Sequence, residues 1–244
     1  MSVSPAGRIV ATIDGQTAER DAVLAWEDKR AFVVMRQLGL HDVGPTRAER
    51  RAGLLARKLE LGHAALRRML WLDLFLSRLM AIVLTALWGK RRRVSSCELA
   101  VERGSAERFQ RWFIDRVPLD DQAGMLAACP DHYIIDTPAS GDQQVVETAG
   151  GSPLTAEFVI HYGQSDGIVT PPDPAYPLQI VGVARLSSGR AVGGVRHQFR
   201  QEGEGFRAIV AAEFPGGTFA SIVKWHRWHL ACEFSNWIEA AAEG

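Results

Sequence analysis

Residues 191–214 read AVGGVRHQFRQEGEGFRAIVAAEF. Two β-rich runs meet across the glycine-bearing turn at Glu202–Gly205, the pattern of a hairpin. Side chains alternate across a strand. Arg196, Gln198 and Arg200 therefore share one face of the first run, and Val195, His197 and Phe199 share the other. The charged face belongs to solvent, so His197 is expected to point into a core or cavity.

The same texture extends upstream. Short runs HYIID (132–136), QQVVET (143–148), AEFVIHY (156–162) and PLQIVGVARL (177–186) are separated by AGGSP, TPPDPAYP and SSGR. Turns this close and regular fit an antiparallel meander, not βαβ units. In AEFVIHY, Phe158, Ile160 and Tyr162 form the apolar face, which turns Glu157 and His161 outward. In QQVVET, Val145 and Glu147 share a face, but the pattern leaves open which face is inside. FPGGTF ends the last strand, and residues 218–242 read as one final helix. A sheet needs its apolar face covered, and that helix is the available cover. The fold class is thus α+β. An antiparallel sheet gripped by a long C-terminal helix, with a cavity between, has the helix-grip form of the Bet v 1/START type.

Residues 17–93 read as helical. TAERDAVLAWEDKRAFVVMRQLGL opens on Thr17 and Glu19 and stops at Gly39; a break follows at 41–47. The remainder is one long helix or two, with Gly62 as the joint. Ser105–Arg116 reads as a further short helix. The expected division is a helical region, 1–104, and a helix-grip catalytic or binding domain, 105–244. The stretch RRMLWLDLFLSRLMAIVLTALWGKRRR (67–93) has nearly the length a bilayer needs. Asp73 and Arg78 interrupt it, and each costs about 2.5–3.5 kcal/mol near a membrane centre. It is read as a helix buried by protein or facing a partner, with a membrane disfavoured; a homodimer would use these N-terminal helices.

Lys+Arg and Asp+Glu both number 28 in 244 residues, so no net positive charge points to nucleic acid. The three cysteines, Cys97, Cys129 and Cys232, show no paired spacing and argue against a disulfide framework. The N-terminus lacks the pattern of a signal peptide, and a cytoplasmic location is the expectation.

The final helix contains WHRWHLACEFSNWIEAA (225–241). Helical geometry stacks His229 over Glu233, the i, i+4 arrangement of helical zinc ligands. An ordinary hydrogen-bonded pair has the same spacing. Trp225 and Asn236 fall near the same stripe, with Trp228 beside it.

Four pieces then stand in order: CPDHY, QQVVETAGG, GGVRHQFRQEGEGFRAIVAAEF and HLACEFSNWIE. Together, over roughly residues 110–240, they resemble the 2,4-diacetylphloroglucinol hydrolase family, which includes phloretin hydrolases. The resemblance implies one Zn2+ held by two histidines and two glutamates. Carried over, Glu147 matches the strand glutamate, His229 and Glu233 the helix pair, and Asn236 the asparagine after it. Cys129 stands where the family has its first histidine, so either His132 replaces that ligand or Cys129 binds as thiolate. His197 resembles the histidine near the substrate carbonyl. The implied activity is hydrolysis of the carbon–carbon bond between an acyl group and a phenolic ring, on a small aromatic ketone. Tyr133 and Tyr162 are candidate partners for phenolic hydroxyls, and Trp225 and Trp228 for an aromatic wall. The competing reading is a metal-free helix-grip protein that binds a small molecule or acts like a cyclase, with His229 and Glu233 simply paired. A third is a helical interaction or membrane-associated protein with a structural β-half.

Overall fold

The computed structural model describes residues 4–41, 44–119, 121–138 and 141–243. The break expected at 41–47 lies partly outside them, at 42 and 43. The chain begins with a small hairpin, β1 (Ile9–Ile13) and β2 (Gln16–Glu19), followed by helices α1 (Arg20–Gln37), α2 (Arg47–Met69) and α3 (Trp71–Trp88). Then come β3 (Arg92–Val101), α4 (Ala106–Leu119) and α5 (Gln122–Ala127). The meander follows: β4 (His132–Asp136), β5 (Gln143–Thr148), β6 (Thr155–Tyr162), β7 (Leu178–Arg185), β8 (Ala191–Glu202) and β9 (Gly205–Pro215). Helix α6 (Ala220–Glu243) closes the chain.

Among the described residues all nine strands form one sheet, ordered β2-β1-β3-β9-β8-β7-β6-β5-β4. Each neighbouring pair is antiparallel. The β8–β9 turn falls where its glycines place it. Glu202 pairs with Gly205, and Gly203 takes φ +60°, a conformation that costs glycine nothing. Gly62 is likewise the joint inside α2, at φ 67° and ψ 168°. Thr46 caps that helix and Glu49 returns the bond, a full capping box.

The expected boundary at 104/105 does not divide the sheet, and the region before it is not all helical. β3 pairs with β9 from Arg92↔Pro215 to Val101↔Phe206, and the β1–β2 hairpin extends the same sheet. The signal for β3 is a period of two: Ser95, Cys97, Leu99 and Val101 are buried. The arginine run at its start and the polar inward Ser95 hide that period. Residues 17–19, expected in the first helix, belong instead to β2, the second strand of the opening hairpin.

Two cores hold the fold. Between the sheet and α4 and α6, Phe109, Phe113, Phe199, Phe234 and Trp237 pack ring on ring. Each such buried side chain contributes about 1.5–3 kcal/mol. On the other side of β4 and β5, helices α1 and α2 enclose Val34, Leu38, Leu66, Tyr133, Ile134 and Val146. α3 is different. Its outer face exposes Leu72, Phe75, Leu79, Val83 and Leu87, so this chain does not bury it as expected. Only 11% of its 18-residue apolar window is buried. Hydropathy reports how apolar a segment is, not what covers it.

Candidate metal centre and cavity

α6 is buried continuously from His229 to Ile238, where it runs between the sheet on one side and α1 on the other. His229 and Glu233 stand one turn apart on it. His132 and Glu147 are cross-strand partners on β4 and β5 and project to one face of the sheet. The two pairs meet. His132 Nε2 is 3.2 Å from His229 Nε2, 3.1 Å from Glu233 Oε2 and 3.7 Å from Glu147 Oε2. His229 Nε2 is 3.6 Å from Glu147 Oε2 and 3.5 Å from Glu233 Oε2.

The outer nitrogens of both rings are engaged elsewhere. His132 Nδ1 lies 3.2 Å from the Met125 carbonyl oxygen, which can only accept, so Nδ1 carries the hydrogen. A neutral His132 then turns its Nε2 lone pair to the cluster. His229 Nδ1 faces Asp131 Oδ2 at 3.8 Å and Cys129 Sγ at 3.6 Å. Asp131 is fully buried and is held in turn by the Arg30 fork, with Nη2 2.7 Å from Oδ1. A carboxylate behind a histidine is a common means of orienting a metal ligand.

The electrostatics centre on the same atoms. Burial raises the Glu147 carboxyl, with His229 and His132 pulling the other way. Burial also works against the Glu233 carboxylate, but His229 and His132 outweigh it and hold it well below the usual range. Burial pushes the Cys129 thiol well up. A buried Cys129–His132–His229 group could hold a metal ion; Glu147, His226 and His229 form a second such group.

The segment carrying Cys129 and His132 is pinned from three sides. Lys58 donates to the Pro130 carbonyl at 3.0 Å, and burial lowers that ammonium to about 8. Arg30 holds Asp131. Asn236 donates to the Ala128 carbonyl at 2.7 Å and to Glu27 at 3.1 Å, and accepts from Arg51 at 2.8 Å. Asn236, expected at the catalytic centre, thus faces α1 and the 128–131 segment. Seven residues after His229 it keeps the same rough heading, but it lies on the flank of α6 away from the cavity.

A cavity of about 190 Å3 opens from this cluster between the sheet, α6 and α3. His132, Glu147 and Glu233 line one part of it, and His197, Tyr162 and Gln143 another; the rest is mostly apolar. An apolar cavity of ~150 Å3 already admits benzene, so the space suits one substituted ring. Tyr162 donates to Gln143 Oε1 at 3.0 Å. His197 lies against Phe234, ring centroids 4.6 Å apart, and its buried Nδ1 has no hydrogen-bond partner among the described residues.

No protein-family model and no curated protein matches this chain.

The cavity residues therefore rest on geometry. Tyr133 is not among them. It follows His132 on one strand, so it must point to the opposite face. A bulge between His132 and Ile134 keeps both Tyr133 and Ile134 on that side, where the Tyr133 hydroxyl donates to Gln37 at 2.5 Å. Trp225 is 47% exposed, and Trp228 packs at the margin of the core; neither lines the cavity, whereas Trp237 does. His226 and Asp131 went unread in the sequence. Each required knowledge of which neighbour a turn or a helix face would meet. His226 stacks on His229, centroids 5.0 Å apart, and bonds Ser95 Oγ at 3.2 Å.

His161 turns away from the cavity, 2.8 Å from Asp142 Oδ1. Replacing His197 by alanine is expected to impair ligand binding or turnover far more than His161→Ala. Acid stability supplies a second readout. Burial lowers His197 from 6.5 to about 4. The unfolded chain therefore takes up this proton at a higher pH than the folded one. Stability from the neutral ring is present above about 6.5 and is lost as pH falls towards 4, by about 3 kcal/mol in all. Urea midpoints between these pH values should fall less in His197→Ala than in the wild type. An unchanged slope would contradict the inward placement.

Proposed function

We propose that this protein is a metal-dependent hydrolase with zinc held by His132, Glu147, His229 and Glu233, acting on the carbon–carbon bond between an acyl group and a phenolic ring. The observation that carries the reading is the set of five distances, 3.1–3.7 Å, among four ligand-type atoms beside the cavity. Tetrahedral bonds of about 2.0–2.2 Å separate ligand atoms by about 3.3–3.6 Å. Two Nε2 lone pairs at 3.2 Å repel unless a cation or a proton lies between them. Two neutral imidazoles and two carboxylates would make the occupied site formally neutral, which limits the cost of burying it. The sheet, the long C-terminal helix and the cavity between them support the helix-grip reading, and the order of the four motifs supports the hydrolase reading.

A zinc ion at such a site acts as a Lewis acid towards a carbonyl and lowers the pKa of bound water to about 7. The chain's own residues supply the rest. The apolar walls hold the ring and exclude bulk water. His197, neutral near pH 7, can donate N–H to the carbonyl oxygen as charge develops there, or pass a proton to the ring carbon. The Tyr162–Gln143 pair offers hydrogen bonds to a phenolic hydroxyl. In the overall reaction the acyl–ring bond breaks, water oxygen ends in the carboxylic acid, and the ring carbon gains the proton.

The test is incubation with 2,4-diacetylphloroglucinol, with and without prior chelation, followed by chromatography. Equimolar acetic acid and deacylated ring are expected from the metal-loaded protein alone. Equal turnover after complete metal removal would refute the proposal. Cys129→Ser should retain stoichiometric metal, because Sγ faces the His229 nitrogen turned away from the four-atom cluster. Loss of metal there, in a folded protein, would assign Cys129 as a ligand instead.

A further inference from the structure

We propose that α3 is a membrane-docking surface, by which the protein lies on an anionic bilayer. On its outer side Leu72, Phe75, Leu76, Leu79, Val83 and Leu87 are exposed by 39–70%. They recur at helical spacing and so make one stripe. Trp71 and Trp88, 62% and 39% exposed, mark its two ends, as aromatic residues do at a membrane interface. Phe219 is 66% exposed.

Charge decides between occupants. Residues 67–93 contain seven basic side chains, Arg67, Arg68, Arg78, Lys90, Arg91, Arg92 and Arg93, and one acid, Asp73. Arg67 is spent on Glu157. Arg68, Arg78, Lys90, Arg91 and Arg93 are exposed around the stripe. A second copy related by a twofold axis would set Arg78 against its own counterpart and one cationic end of α3 against the other. Anionic headgroups meet all of these charges favourably, at ~1 kcal/mol each.

The geometry is that of a helix lying in the interface. At 1.5 Å per residue, the 18 residues of α3 span about 27 Å. Spanning a bilayer is excluded by its attachments, since α3 packs on β6, β8 and β9 and leads at once into β3, an inner strand of the sheet. Its inner side contributes Ser77, Met80, Ala81 and Leu84 to the cavity wall. One helix therefore separates lipid from the ligand chamber, which suits an apolar ligand drawn from the membrane. This inference does not depend on the metal.

The test is co-sedimentation of the full chain with large unilamellar vesicles of phosphatidylcholine, alone or with phosphatidylglycerol. Partition is expected onto the anionic vesicles only, weakening as salt rises. Leu76→Glu/Leu79→Glu should abolish it. Lys90→Glu/Arg91→Glu should reduce it on the order of 25-fold or more. All four side chains are exposed, so circular dichroism should be unchanged. Absence of partition, equal partition onto neutral vesicles, or full partition by either variant would overturn the proposal. So would a stable dimer in light scattering that Leu76→Glu/Leu79→Glu makes monomeric.

Discussion

His229→Ala is expected to abolish stoichiometric metal binding, and with it any hydrolysis, while leaving the chain folded. His229 takes part in three of the five short distances of the cluster. Its removal leaves at most one imidazole and two carboxylates, and Glu233 loses the ring that most favours its charge. The loss of activity should exceed the roughly 10–100-fold typical when only an outer-shell partner of a ligand is removed. Asp131 keeps its pairing with Arg30, so no buried charge is orphaned. Folding is checked by circular dichroism and function by metal content and product release. A second readout separates metal loss from a packing defect. Metal that binds only the folded state stabilises it, so a chelator should lower the wild-type Tm and leave that of the variant unchanged. Retained metal in a folded His229→Ala protein would remove the helix from the ligand set.

Gly150→Ala should be a strongly damaging single methyl addition at the site. Gly150 follows Glu147 by three residues, at the crossing of the β5 end with the start of α6. Its φ is +57°, and a Cβ there would lie 2.3 Å from the His226 backbone nitrogen. Both the left-handed backbone and the contact penalise a side chain. The obstacle is backbone, so α6 must shift away from β5. We expect about 2–4 kcal/mol of destabilisation. At 2–4 °C per kcal/mol for a chain of this size, Tm should fall by roughly 5–15 °C. Gly189→Ala is the control: φ is +80° but, among the described residues, nothing lies within 4 Å of the added carbon. Calorimetry that found equal losses for the two would show that the close approach is not a constraint. Metal affinity should fall only in Gly150→Ala, because only there do the Glu147 strand and the His229 helix separate.

What was legible in the sequence was what depends on near neighbours along the chain. The β8–β9 hairpin followed from a glycine turn between two long β-rich runs. The inward heading of His197 followed from the charged residues flanking it. His229 and Glu233 were readable as a pair because helical geometry stacks them whatever the helix faces. His132 and Glu147 were named by motif order, and only the strand register sets them opposite each other. Features that depend on what packs against an element were not legible. Tyr133 was assigned to the cavity although alternation from His132 forbids it. Asn236 lies at the right spacing on α6, but the partner of that flank is α1 and the 128–131 segment. The Asp131–Arg30 support joins residues 101 apart in sequence. Strand β3 was hidden because one of its inward residues, Ser95, is polar and serves His226. The exposure of α3 was invisible to composition.

The most direct test of the central claim is elemental analysis by mass spectrometry of protein purified without chelator. The account predicts about one zinc per chain, retained through desalting and lost in His229→Ala. Protein that carries no stoichiometric metal, and takes up none when zinc is added, would contradict it and leave His132, Glu147, His229 and Glu233 as a hydrogen-bonded cluster in a ligand-binding cavity.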